Sequence, residues 1–238
     1  MEKPQYLRWL IAEEGITFSD GMPLTCYRIE YNTDEDILND WAVHIRKHYI
    51  NDNDLADGSQ CWDMSIEEYL RTFIIPQRNE HFGPTARSSD LSEILFADLL
   101  EFILGYTVPR CKQYGRSGKN NSEHGTDVIG YRFQNQNKQP SKADELITVE
   151  VKATLSKDNP VDAITSAASD SAKDEQRFAH TLDYYRKKLR FGFLILKRVG
   201  KLHLHIRIVR KSKPGKPLPF SIKLYEIFRY ITGCTLSL

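Results

Sequence analysis

The stretch GTDVIGYRF, Gly125–Phe133, followed after a polar linker by ELITVEVKA, Glu145–Ala153, decides how this chain is read. Both are short apolar runs with the length of strands, and each carries charge where a buried strand should have none. Asp127 opens the first; Glu150 and Lys152 interrupt the second. Side chains alternate faces along a strand, so Thr148, Glu150 and Lys152 share one face, and Ile147, Val149, Val151 and Ala153 share the other. The second face is wholly apolar and is expected in the core. The polar face, in mid-strand, calls for a chemical reason.

One reason is a metal. Two carboxylates from adjacent strands hold a hard divalent cation such as Mg²⁺, which prefers oxygen ligands, and Mn²⁺ is expected to substitute. Asp127 and Glu150 are the candidate ligands, with Val151 as a third ligand position. Glu150 and Lys152 are spaced by about 6.6 Å along an extended strand, so the ammonium reaches past the ion to a water or a phosphate oxygen. A metal with a positioned lysine suits phosphodiester hydrolysis: one lowers the pKa of water, and both stabilise developing charge. An acid-x-Lys triplet alone carries little information, and the other reading is an i, i+2 ion pair on a solvated strand face. What raises the triplet above that is its context, an apolar strand preceded by a strand that opens on Gly-Thr-Asp.

Upstream, DLSEILFADLLEFILG, Asp90–Gly105, places Leu91, Ile94, Leu95, Leu99, Phe102 and Ile103 at helical spacing and ends on a glycine. This helix is expected to pack on the sheet. Glu93 sits where a capping box would place it if the helix starts at Asp90. Tyr106–Gln113 reads as the first strand, with Pro109 demanding an edge or irregular position. The loop after it is not a phosphate-binding P-loop, because Gly115 and Gly118 are too close and Asn120 follows Lys119. Its Arg116, Lys119 and His124 are candidate phosphate contacts. Beyond Lys152 a helix to about Leu189 is expected, on which Gln176 and His180 lie one turn apart. Phe191–Lys197 and Leu202–Val209 read as strands; His203 and His205 fall on the exposed face of the second.

Residues 1–85 read as an accessory region: a strand near Leu24–Tyr31, a helix from about Asp34 to Tyr49, a loop over NDNDLADGSQ, and a short helix capped by Ser65 and Glu68. His44 and His48 are spaced i, i+4 on the longer helix, but no nearby acid completes a metal motif, so they read as part of a helix face. Residues 76–89 form a boundary or a lid, which divides the chain into 1–85 and 86–238.

The four cysteines are scattered without a CxxC pair, and no apolar run suits a signal peptide or a membrane span, so a cytoplasmic protein is expected. The net charge of +1 conceals an asymmetry: residues 1–70 hold 15 acids and 5 Lys/Arg, while residues 184–225 hold 13 Lys/Arg and no acid. The basic part suits a polyanion such as DNA, with Arg210, Lys211 and Lys213 among the candidate contacts. The acidic part suits a basic partner.

Asp127 with Glu150-x-Lys152 resembles the PD-(D/E)xK nuclease superfamily, whose core order of helix, three strands, helix and strand covers Asp90–Lys197. Thr126 stands where that pattern often has proline. The superfamily implies a restriction-endonuclease-like α/β (α+β) fold, a mixed sheet flanked by helices, and it implies that Glu93, on the helix before the hairpin, offers an acid to the site. More closely, SSDLSEILFADLLEFILGY, GTDVIGYRF and ITVEVKATLS are similar to the HamA family, the nuclease subunit of Hachiman anti-phage defence. That resemblance, over residues 86–200, implies a metal-dependent DNA nuclease that works with, and is restrained by, a HamB-type superfamily 2 helicase. A catalytically inactive DNA-binding or scaffold subunit, and a stand-alone restriction-type endonuclease, are the alternatives.

Overall fold

The structure is a computed structural model, and it describes residues 2–17, 23–30, 32–123, 125–135, 141 and 143–152, and then 166, 169–170, 181, 183–185, 187–188 and 207–208. The expected strand Phe191–Lys197 and residues His124, Gln176, His180, His203, His205, Arg210, Lys211 and Lys213 lie outside the described residues.

Helix and strand are mixed, as an α+β chain requires. A 3₁₀ turn, Gln5–Trp9, leads into strand β1 (Leu10–Ala12), which pairs antiparallel with β4 (Tyr27–Ile29); the short β2 (Ile16–Thr17) and β3 (Pro23–Leu24) pair between them. Helix α1 (Glu35–Tyr49) begins where Asp34 accepts a hydrogen bond from the Ile37 amide, with Glu35 and Asp36 in its first turn, where acids suit the helix dipole. NDNDLADGSQ is not a loop but supplies most of helix α2 (Asp52–Cys61). Its composition is a poor guide because the ends and the packing decide: Asn51 caps the Asp54 amide at 2.8 Å, and Leu55 is buried against Ile50 and Leu70. Ser65 caps helix α3 (Ile66–Tyr69) through the Glu68 amide, as its sequence suggests.

Helix α4 (Gly83–Asp98) starts well before Asp90. Pro84, whose φ is preset for the first turn, opens it, and a side chain at Gly83 would collide with the Gln77 carbonyl. The helix continues through a π-helical turn, Leu99–Ile103, and stops at Gly105, whose φ of 73° only glycine adopts without strain. From Ser92 to Leu100 every residue of this helix is buried. Leu95 packs with Tyr6, Leu7, Trp9, Ile29, Ile37 and Trp41, while Phe96, Ala97, Leu99 and Leu100 pack with Val108, Val128, Val149 and Val151. At about 1.5–3 kcal/mol for each large apolar side chain removed from water, this helix is the main hydrophobic link between the N-terminal elements and the sheet. The boundary expected near residue 85 falls inside its first turn.

The sheet holds β5 (Val128–Arg132), β6 (Glu145–Val149) and β7 (Arg207–Ile208) in that order, β5 antiparallel and β7 parallel to β6. The expected first strand, Tyr106–Gln113, is not one. It makes a single bridge, Thr107 to Tyr131, with amide–carbonyl distances of 2.7 and 2.9 Å. The next pairing position falls on Pro109, which has no N–H to donate, so the ladder stops there. Among the described residues no helix is long and apolar enough to cross a membrane.

Candidate active site

The register of the β5–β6 hairpin pairs Val128 with Val149. Asp127 and Glu150 are therefore the residues just beyond that last pair, one at the start of β5 and one past the end of β6. Asp127 is fixed there from two sides. Its Oδ2 accepts the Val151 amide at 2.8 Å, and the preceding Thr126 amide donates to Thr181 Oγ1 at 3.2 Å. A proline at 126 could not make that second bond. Val149 and Val151 lie in the core as the alternation demands, so Glu150 is directed the other way.

Glu150 accepts Lys152 Nζ on Oε1 at 2.9 Å, and its Oε2 is buried with no hydrogen-bond partner among the described residues. Burial first, and the Asp127 charge second, push its carboxyl above the usual range. Lys152 is held also by Asp170, at 2.8 Å. Burial works against its charge, but Asp170 and Glu150 outweigh burial and raise its pKa, so it is a fixed cation.

Glu93 is not a helix cap. With α4 starting at Gly83 it lies in mid-helix, and its side chain reaches Lys112 Nζ at 3.0 Å and Gln113 Nε2 at 2.9 Å. Lys112 in turn donates to Asp127 Oδ1 at 2.9 Å. Glu93, Lys112, Gln113 and Asp127 thus line one cleft. Burial pushes the Glu93 carboxyl up to about 7, against the pull of Lys112 and with the help of Asp127. Burial lowers and Glu93 and Asp127 raise the pKa of Lys112; the acids prevail.

Asp127, Glu93, Glu150 and Lys152 therefore come together from separate segments, and Lys112, Gln113 and Asp170 join them. Lys112 carries little sequence signal: it stands in TVPRCKQ between Arg110 and Gln113, a stretch polar enough that one more charge is no anomaly. Asp170, in a stretch of small polar residues, carries none.

The two described candidates for phosphate contact are placed otherwise. The Arg116 side chain is 4% exposed, with its guanidinium forked onto Asp90, Nη1 to Oδ2 at 2.9 Å, and over the Tyr49 ring. Lys119 donates to Glu80 and to the Arg71 carbonyl at 2.6 Å. In this structure both cations are engaged within the protein.

A donor set of carboxylate oxygens suits Mg²⁺, and Glu150 Oε2, buried and without a hydrogen-bond partner among the described residues, has lone pairs to offer a cation. The residues fit the metal. Among the described residues, the group that brings three ligand atoms within 4.8 Å of one another is a different one, His44, His48 and Asp98. It is filled instead by Arg110, which pairs with Asp98 and Glu101 and lies 2.6 Å from His48 Nε2.

The HamA family model matches the chain over residues 4–221. No curated protein matches it.

Proposed function

The chain belongs to the HamA family, a component of Hachiman anti-phage defence, and on that premise we propose that it is a Mg²⁺-dependent DNA endonuclease controlled by a helicase partner. The observation that carries the reading is the junction of Asp127 and Glu150 at the mouth of one hairpin, with Glu150 Oε2 buried and partnerless beside a fixed Lys152. The mixed sheet with α4 packed on it, and the bridge from Thr107 extending it on the β5 side, suit a restriction-endonuclease-like core.

Asp127 and Glu150 would hold the ion, with Val151 offering its main-chain carbonyl. When bound, the metal polarises the phosphate and lowers the pKa of a water molecule. The protein supplies position. The Val151 amide and the Thr126–Thr181 contact fix Asp127, and Glu150 and Asp170 aim the Lys152 ammonium. With its pKa raised, Lys152 keeps its proton and stabilises negative charge on the phosphate, rather than drawing a proton from water. Cleavage of plasmid by the purified chain with and without Mg²⁺ or Mn²⁺ tests the reading. Loss of cleavage in Glu150→Ala is the expected result. DNA binding without cleavage in either metal would make the chain a binding subunit.

The same reading assigns restraint to a HamB-type helicase docked on the acidic N-terminal region, since the chain carries no P-loop. Deleting residues 1–80 is a poor test, because Tyr6, Trp9, Ile37 and Trp41 share a core with Leu95 of α4. Charge reversal of exposed acids, Asp57→Lys with Glu68→Lys, leaves that core intact; wild-type affinity for the helicase in this variant would place the docking surface elsewhere.

A further inference from the structure

We infer that Lys112 is a built-in cation that takes the place of a second metal, so that the site binds one divalent ion and not two. The inference rests on the metal reading of Asp127 and Glu150. Lys112 Nζ bridges Glu93 Oε1 at 3.0 Å and Asp127 Oδ1 at 2.9 Å, and its side chain is 6% exposed. Those are ammonium distances; Mg²⁺ draws its oxygens to about 2.1 Å.

Glu93 has both oxygens engaged and its side chain is 5% exposed, whereas Asp127 is 18% exposed and each of its oxygens has a second lone pair to offer the ion shared with Glu150. Glu93 Oε2 accepts Gln113 Nε2, and Asp127 Oδ2 accepts the Val151 amide. Among the described residues, the buried carboxylate oxygen of the site without a hydrogen-bond partner is Glu150 Oε2. A divalent ion between Glu93 and Asp127 would face a buried ammonium at contact range, where repulsion is weakly screened. With every carboxylate ionised, Glu93, Asp127, Glu150 and Asp170 carry −4 and Lys112 and Lys152 carry +2, leaving −2, which one divalent ion neutralises.

Lys112 is a positioning residue in this account, and Glu93 serves to hold it. Direct involvement of Glu93 with the metal is then unnecessary, although its charge remains part of the site. The buried ammonium also fixes Asp127 Oδ1, so the ion meets a carboxylate already oriented for it.

The test is Mn²⁺ titration of the full chain without DNA, with free Mn²⁺ followed by electron paramagnetic resonance. One ion per chain is expected for the native protein and for Lys112→Arg, and two for Lys112→Met. Lys112→Gln keeps a hydrogen-bond donor between the two acids without the charge, and it should also take two, which covers the case in which the methionine variant does not fold. Two ions on the native chain would overturn the inference. So would a stoichiometry of one, at unchanged affinity, in folded Lys112→Gln. No Mn²⁺ bound to the native chain would instead remove the metal reading on which the inference stands.

Discussion

Two clusters of buried charge sit along α4, one around Asp98 and one around Glu93, and they differ in how completely they are closed. Asp98 is wholly buried and accepts from Tyr6 at 2.6 Å, from His44 at 2.9 Å and from Arg110, so both its oxygens are taken. Its cation is an arginine, whose planar fork locks several acceptors at once. The Glu93–Asp127–Glu150 cluster is built on lysines, which are point charges, and leaves one carboxylate oxygen unmatched. Each cluster has a buried polar atom without a hydrogen-bond partner among the described residues, a donor (Arg110 Nη2) in the first and an acceptor (Glu150 Oε2) in the second. What distinguishes a cluster that holds the fold from one that is open to a ligand is the unmatched acceptor.

The largest expected effects separate the two clusters by which property fails. Asp127→Ala, Glu150→Ala or Lys152→Ala should each lower DNA cleavage by about 10³-fold or more, the scale of removing a group that stabilises transition-state charge, while circular dichroism stays native. Asp98→Ala should do the reverse. It leaves Arg110 buried without its main partner and should cost about 3–5 kcal/mol in denaturant titration, with cleavage per folded molecule unchanged. Arg116→Ala belongs with Asp98, because it removes the cation paired with the buried Asp90 and leaves that carboxylate the Tyr49 hydroxyl. Its thermal midpoint should drop while the salt dependence of DNA binding stays the same. A change in salt slope would return Arg116 to the DNA surface.

Acidity should sharpen the contrast, because the two clusters titrate in opposite senses. His48 is lowered to about 4 by burial, with the Arg110 and His44 charges adding to it. The unfolded chain takes up this proton near the ordinary 6.5 and the native chain does not, so stability is full above that pH and is lost as pH falls toward 4. Glu93 is raised to about 7, so the unfolded chain releases its proton first and metal-free stability falls as pH rises from about 4.5 to 7. His48→Asn should flatten the acid limb and Glu93→Gln the neutral one, in thermal melts of the metal-free protein at a series of pH values. Unaltered curves would detach these groups from the pH response.

The smallest effect concerns the basic segment. Reversing Arg210, Lys211 and Lys213 to Glu should reduce the slope of log affinity against log salt by about 0.9 for each duplex phosphate that is no longer neutralised. An unchanged slope would assign those charges to another partner.

How far the sequence discloses this arrangement follows from the kind of signal each part carries. Asp127, Glu150 and Lys152 stand out because a charge in an apolar strand is anomalous whatever its partner, and the structure brings them to one hairpin mouth. The core face of α4 is legible from its spacing, but its start is not. Pro84 is hidden among serines and charges that look like a linker, and reading the start at Asp90 moves Glu93 from mid-helix to a cap. Helix α2 is masked by Asp, Asn and Gly, whose poor propensity is outweighed by the Asn51 cap and the burial of Leu55. Arg116 reads as a phosphate contact, and Lys112 escapes notice, for one reason. Their partners are far away in sequence, and a cation in a linear chain does not reveal which carboxylate it faces.

The contact between Thr126 and Thr181 has a consequence for engineering by consensus. Introducing the proline that the PD-(D/E)xK pattern often has, Thr126→Pro, moves the sequence closer to that motif yet deletes the amide donor to a buried hydroxyl. A donor–acceptor pair broken in this way leaves a desolvated oxygen behind, typically at a cost of about 1–3 kcal/mol. In this chain the turn before Asp127 is held by the Thr181 hydroxyl instead of by a ring, so the consensus letter and the local solution to the same problem are incompatible.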